Sequence, residues 1–320
     1  MLRKFPRLRR RLKTIKRAVQ YTALYYIIIG LKRFFLLFPH IVAYRFCETV
    51  GRGVYYCAIT ERRRTLTHLK QAFGDTKTDA EIKKIAKNCF LNLSRNVAEM
   101  LCWEKWTPER MKEYIVFEGF EHFREAKQQG KGAVVVTGHC GNWEYLGGFS
   151  VVHGIDGAGL ARKFHDERIN KLLFTVRQGK GFEMIDRDES PRKMLNVMRN
   201  NNFLGILADQ DIRKINGTFV NFFGKQAFTP TAPVTLALIA DCPLIPSFSH
   251  RNPDNPYKHT VVIYPPIDLI RDRKNPDAIQ ENTQRWTTVL ENHIRKYPDQ
   301  WVWMHRRWRT TPETLKGEKQ

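Results

Sequence analysis

The sequence predicts an α/β fold with a mostly parallel central sheet flanked by helices, preceded by an N-terminal membrane-associated helical segment. Three observations lead there. Gly132–Thr137, Phe203–Ala208 and Thr260–Tyr264 are short, continuous apolar runs rich in β-branched and aromatic residues, the composition of strands buried on both faces. Stretches of helical length, such as Glu167–Gln178 and Pro191–Asn200, separate them, and alternating strands and helices imply parallel crossovers. Ahead of both stands a cationic segment that turns apolar.

That first segment concentrates charge. The 320 residues hold 54 Lys+Arg against 32 Asp+Glu, a net +22. Twelve of the basic residues, including Arg3, Lys4, Arg9, Arg10, Arg11, Lys32, Arg33 and Arg45, precede the first acid, Glu48; the remaining 42 against 32 acids leave +10 on the body. With 42% hydrophobic and 12% aromatic residues the chain can bury a core, which excludes disorder as the reason for the charge. Tyr21–Leu31 is apolar, but Lys32 and Arg33 interrupt it before Phe34–Phe38, short of the roughly 20 residues a span requires. Three arrangements follow: a helix lying in the headgroup region with Lys32 and Arg33 snorkelling, a tilted span with its basic head cytoplasmic, or a buried hairpin with a solvated basic tail. Anionic lipid is the expected partner, because the basic cluster adjoins an apolar stretch and no nucleic-acid fold signature accompanies it. The organisation expected is a head and anchoring segment over 1–47 and one α/β domain over 48–320. No small-residue cleavage motif follows the apolar stretch, so the segment is expected to be retained. Six dispersed cysteines without CxxC spacing indicate reduced thiols rather than a disulfide framework.

Helical spacing continues from Arg62 to about Trp106. Leu66, Leu69 and Phe73 share one face, as do Ile82, Ile85, Ala86 and Cys89, with Asp79 as the expected N-cap of the second helix. Past the Gly132–Thr137 strand comes Gly138-His139-Cys140-Gly141-Asn142-Trp143-Glu144. In parallel sheets function gathers beyond the carboxyl ends of strands. Five residues do not share a helix face, so His139 and Glu144 meet only if His139 stands at the strand-to-helix turn and Glu144 one turn into the helix. A carboxylate on Nδ1 would then make Nε2 a base able to take a proton from a hydroxyl. A structural role for the pair is the alternative. Zinc ligation by His139, Cys140 and Glu144, with His153 or His165, lacks an established spacing, so no metal is assigned. Cys140 is expected to be an ordinary thiol.

Gly138-His139-x-Gly141-Asn142-Trp143-Glu144, Leu207-Ala208-Asp209-Gln210-Asp211, Asn221-Phe222-Phe223-Gly224 and Trp301-Val302-Trp303-Met304-His305-Arg306-Arg307 together resemble the late acyltransferases of lipid A biosynthesis, from the apolar N-terminal segment to about Arg309. The resemblance implies a glycerol-3-phosphate-acyltransferase-like fold and an enzyme on the cytoplasmic face of the bacterial inner membrane. Such an enzyme moves a fatty acyl group from acyl carrier protein to a lipid A precursor, without a cofactor. It implies His139 and Glu144 as the catalytic pair and Arg162, Asp209, Gln210 and Asn142 as substrate-binding residues.

In the expected chemistry His139 deprotonates the acceptor hydroxyl, Glu144 stabilises the imidazolium, and backbone N–H groups of Gly141–Trp143 or the Arg162 guanidinium receive the oxyanion. Arg162 binding an acceptor phosphate is an equal alternative. The aromatic run Phe219–Phe228 either lines an acyl channel or packs in the core. Thr229-Pro230 is expected to open a helix, and the Trp301–Trp308 tail is either interfacial or core. Other readings remain: an acyltransferase for another membrane glycolipid or a glycerophospholipid, or a non-catalytic basic peripheral membrane protein.

Overall fold

A computed structural model describes residues 6–163, 166–178, 182–272 and 275–317. Four helices come first, α1 (Pro6–Leu36), α2 (His40–Cys57), α3 (Ile59–Phe73) and α4 (Asp79–Leu101). An α/β body follows: α5 (Pro108–Tyr114), β1 (Ile115–Glu118), α6 (Phe120–Gln128), β2 (Ala133–Thr137), α7 (Gly148–His153), β3 (Gly157–Ala161), α8 (Glu167–Gln178), β4 (Phe182–Asp186), α9 (Pro191–Arg199) and β5 (Phe203–Leu207). The hairpin β6 (Gly217–Phe222) and β7 (Lys225–Pro230), α10 (Ala232–Ala240), β8 (Leu244–Arg251), β9 (His259–Ile263), α11 (Ala278–Lys296) and α12 (Pro312–Gly317) complete it.

Seven strands form one sheet in the order β1-β9-β8-β2-β5-β3-β4, parallel at every pairing except the antiparallel β8–β9. The mostly parallel sheet expected from the sequence is therefore present. Its centre shows why β2 reads as a continuous apolar run. Val134 and Val136 pack on one face with Leu204, Ile206, Phe248 and Trp286, while Ala133 and Val135 pack on the other with Phe123, Tyr145 and Phe203. Burying each valine on either face contributes about 1.5–3 kcal/mol, so neither face can be given to water.

Several local expectations change. The N-cap of α4 is Thr78, whose side chain accepts from the Glu81 backbone N–H while the Glu81 carboxylate receives Thr78's own N–H; Asp79 is the first helical residue. This reciprocal box satisfies two end groups where Asp79 as cap would satisfy one. Thr229-Pro230 closes β7 rather than opening α10. Since β7 pairs with β6 alone, the N–H that Pro230 lacks is not needed on its outer edge. The hairpin turns at Phe223-Gly224, both with positive φ, and Phe222, Phe223 and Phe228 are buried, so this aromatic run is core. Trp301 and Trp303 are buried as well, which settles the tail as packing rather than an interfacial patch.

At the N-terminus α1 packs its C-terminal end: Phe35 is buried with Ala43, Tyr44 and Cys47 of α2 and Ala98 and Leu101 of α4. Among the described residues no helix is long and apolar enough to cross a membrane. The Lys32 ammonium pairs with Glu104 at 2.6 Å. Arg3 and Lys4 lie outside the described residues.

Candidate active site

The register of β2 against β5 builds the site. Thr137 stands opposite Leu207, so the residues two places beyond each strand, His139 and Asp209, emerge side by side. Asp209 Oδ1 accepts from His139 Nδ1 at 2.7 Å, and its Oδ2 accepts the His139 backbone N–H at 2.7 Å and the Trp301 indole N–H at 2.8 Å. Burial pushes this carboxyl's pKa upward, but the facing His139 charge and hydrogen bonds, with His305 behind them, outweigh it and hold Asp209 well below the usual carboxylate range. An ionised carboxylate only accepts, so the imidazole proton sits on Nδ1 and Nε2 is left with its lone pair.

This corrects one expectation. The group that orients His139 is Asp209 from the neighbouring strand, not Glu144. Glu144 lies on a 3₁₀ turn, Trp143–Gly147, and lines a cavity of about 100 Å³ with Trp103, Thr137, Trp143, Leu146, Gly159, Phe182, Met184, Gly205 and Leu207. The cavity is apolar apart from a few groups such as Glu144, and Trp143 links it to His139, edge-on at 4.8 Å between ring centroids.

Asn142 is likewise reassigned. It is 1% exposed, donates its amide to Glu99 Oε2 at 2.7 Å and accepts the Glu144 N–H at 3.2 Å, capping the turn instead of meeting a substrate. Glu99 belongs to a buried cluster that sequence reading missed: Arg251 donates to both its carboxylate oxygens, at 2.6 and 3.2 Å, and His259 Nε2 lies 2.9 Å away. Asn96, one turn earlier on α4, donates to the Gly141 carbonyl at 2.6 Å. The Gly141 N–H is committed to Gln300 O at 2.7 Å and drops out as an oxyanion donor. Gly141 has φ +53°, and a Cβ there would lie 2.6 Å from Ser249 O, so the turn requires glycine.

Gln210 does join the site. Its amide nitrogen lies 3.3 Å from His139 Nε2 and 3.2 Å from His305 Nε2. His305 was not among the expected residues, though it sits in the quoted Trp301–Arg307 motif; its ring stands perpendicular to His139 at 4.8 Å. Arg162 is exposed immediately past β3, next to the cavity-lining Ala161. Cys140 is buried, which pushes its thiol well above its ordinary pKa and out of nucleophile chemistry. His153 stacks on Phe120, away from His139, and His165 lies outside the described residues. His139, Asp209 and His305 bring potential metal-ligand atoms within 4.8 Å of one another, but each is engaged in the hydrogen-bond chain just described.

A family-level sequence profile described as "Bacterial lipid A biosynthesis acyltransferase" matches residues 12–310. The chain belongs to this acyltransferase family. It is similar to the lipid A biosynthesis lauroyltransferase of Escherichia coli (strain K12), 27% identical over 290 residues, which cover 89% of this chain and 91% of that protein. A lipid A biosynthesis acyltransferase of Haemophilus influenzae is 23% identical over 285 residues, covering 86% of each chain. Phosphatidylinositol mannoside acyltransferase of Mycobacterium tuberculosis (strain ATCC 25618 / H37Rv) is 24% identical over 200 residues, covering 60% of each. Membership makes the protein an enzyme of acyl transfer.

Proposed function

We propose that the protein transfers a fatty acyl group from acyl carrier protein to a hydroxyl of a lipid A precursor, with His139 as general base oriented by Asp209. The observation that carries this reading is the ionised, buried Asp209 on His139 Nδ1, which leaves Nε2 a hydrogen-bond acceptor on a ring that stands edge-on to Trp143, a residue lining an apolar cavity. The acceptor O–H bond breaks as its proton passes to Nε2 and the oxygen attacks the thioester carbonyl. The tetrahedral intermediate then collapses, the C–S bond breaks, and the thiolate takes the proton back from the imidazolium. The cavity, with Glu144 on its wall, takes the start of the acyl chain. Arg162, exposed at the same strand ends, offers a planar fork to an acceptor phosphate.

The charge distribution supports the partners. The body's +10 favours encounter with an acidic carrier protein and a phosphorylated acceptor. Attachment to the cytoplasmic face of the bacterial inner membrane is supported by the basic head and by a row on α2, Val42, Phe46, Val50 and Val54, which is 39–47% exposed and continuous in sequence with exposed Leu37 and Phe38. The likeness to phosphatidylinositol mannoside acyltransferases favours one second reading, a different membrane glycolipid as acceptor.

The test is mass spectrometry of products from purified enzyme, acyl carrier protein thioester and each acceptor class. A lipid A precursor gaining one acyl group with wild type and none with His139→Ala is expected. Equal acylation by both proteins would remove His139 from the mechanism, and acylation of only the other glycolipid would select the second reading.

A further inference from the structure

We propose that His305 is a positioning residue for this transfer. It fixes the sense of the Gln210 amide so that one N–H lies over His139 Nε2, at the place the acceptor oxygen must occupy. The inference rests on His139 being the base. A glutamine amide presents NH₂ or oxygen in nearly the same shape, and His139 Nε2 can choose between them only while no acceptor hydroxyl occupies it. The two imidazole Nε2 atoms, 3.3 and 3.2 Å from the Gln210 nitrogen, make that choice: each accepts one N–H, and the amide oxygen is turned away from both.

Three further facts bear on His305. Its position is tied to the catalytic turn through backbone, because the Val302 N–H donates to His139 O at 3.2 Å and the His305 N–H donates to Val302 O at 3.2 Å. Burial and the neighbouring His139 pull its pKa down to about 4, so the ring is neutral and able to accept at physiological pH. With Nε2 accepting, its proton sits on Nδ1, which is buried without a hydrogen-bond partner. An orphaned buried N–H is a standing cost that an apolar ring of the same size would avoid, and its retention points to use of the other nitrogen.

When the acceptor hydroxyl takes the place over Nε2, the same Gln210 N–H faces its oxygen and the carbonyl oxygen arriving beside it. A pre-aimed donor of this kind is worth roughly 10²- to 10³-fold in rate. Once the acceptor hydroxyl occupies His139 Nε2, His305 is the partner that keeps the amide from turning its oxygen lone pair toward the developing negative charge.

The test is a double-mutant cycle on the full chain with acyl carrier protein thioester and lipid A precursor: wild type, Gln210→Ala, His305→Phe, and both together. His305→Phe keeps ring volume, so melting temperature reports whether the fold survives, and His305→Gln restores an acceptor. The expected result has four parts: kcat falls roughly 10- to 100-fold in His305→Phe, KM for the donor is unchanged, no further loss occurs in the Gln210→Ala background, and His305→Gln recovers most of the rate. Losses that multiply in the double mutant, or His305→Phe at the wild-type rate while Gln210→Ala is impaired, would overturn the role of His305 and leave His139 standing. Wild-type kcat in His139→Ala would instead sink the underlying reading.

Discussion

At the residue scale the site turns on which carboxylate His139 meets. The sequence displays a histidine and an acid within one motif, and that spacing favours Glu144. Asp209 lies 70 positions away, and its proximity depends on β2 and β5 being neighbours in a register that pairs Thr137 with Leu207. A clue was legible: each apolar run ends within two residues of a polar group able to ionise, His139 after one and Asp209 after the other, so adjacent parallel strands would bring those groups together. What a single sequence withholds is strand order. Asn142 fails for a related reason, since its partner Glu99 comes from a helix in another layer.

At the element scale α4 acts as a clamp. Asn96 and Glu99, three residues apart on one face, hold Gly141 and Asn142, while Arg251 at the end of β8 pairs with the Glu99 carboxylate and His259 at the start of β9 lies within hydrogen-bond distance of it. Breaking a buried pair by deleting one partner leaves the other charge uncompensated, so Glu99→Ala is expected to lose about 3–5 kcal/mol in urea unfolding. Wild-type stability in that variant would show the cluster to be dispensable. The strands predicted from sequence were mostly buried and mostly apolar: β2, β5 and β9 each carry a core of Val, Ile or Leu. Those missed have mixed composition. β3, Gly-Ala-Gly-Leu-Ala, has little strand propensity of its own, and it exists because β5 and β4 pair with it on both sides. Its Gly159 is fixed by Phe182, whose ring would lie 2.6 Å from a Cβ there.

At the scale of the whole molecule, charge and burial set the response to pH. Burial pulls His293 down to about 3 and His305 to about 4, against roughly 6.5 in an unfolded chain. Between those values the unfolded chain binds protons that the folded one refuses, so stability falls on acidification from about pH 6.5, by at most about 1.4 kcal/mol per pH unit for each histidine. Glu99 and Asp209, both held below their ordinary range, add stability that is fully present above about pH 4 and lost beneath it. Urea midpoints between pH 7.5 and 4.5 should decline accordingly, with a shallower slope in His293→Phe; a flat profile contradicts this.

The central claim is that Asp209 makes His139 a base. It is tested most directly by single-turnover acyl transfer with Asp209→Asn beside Glu144→Gln. The expected result is a roughly 10²- to 10⁴-fold fall in rate for Asp209→Asn, as the imidazole loses its ionised partner and its fixed tautomer. Asp209→Asn turning over at the wild-type rate while Glu144→Gln is inactive would return the orienting role to Glu144 and contradict the account.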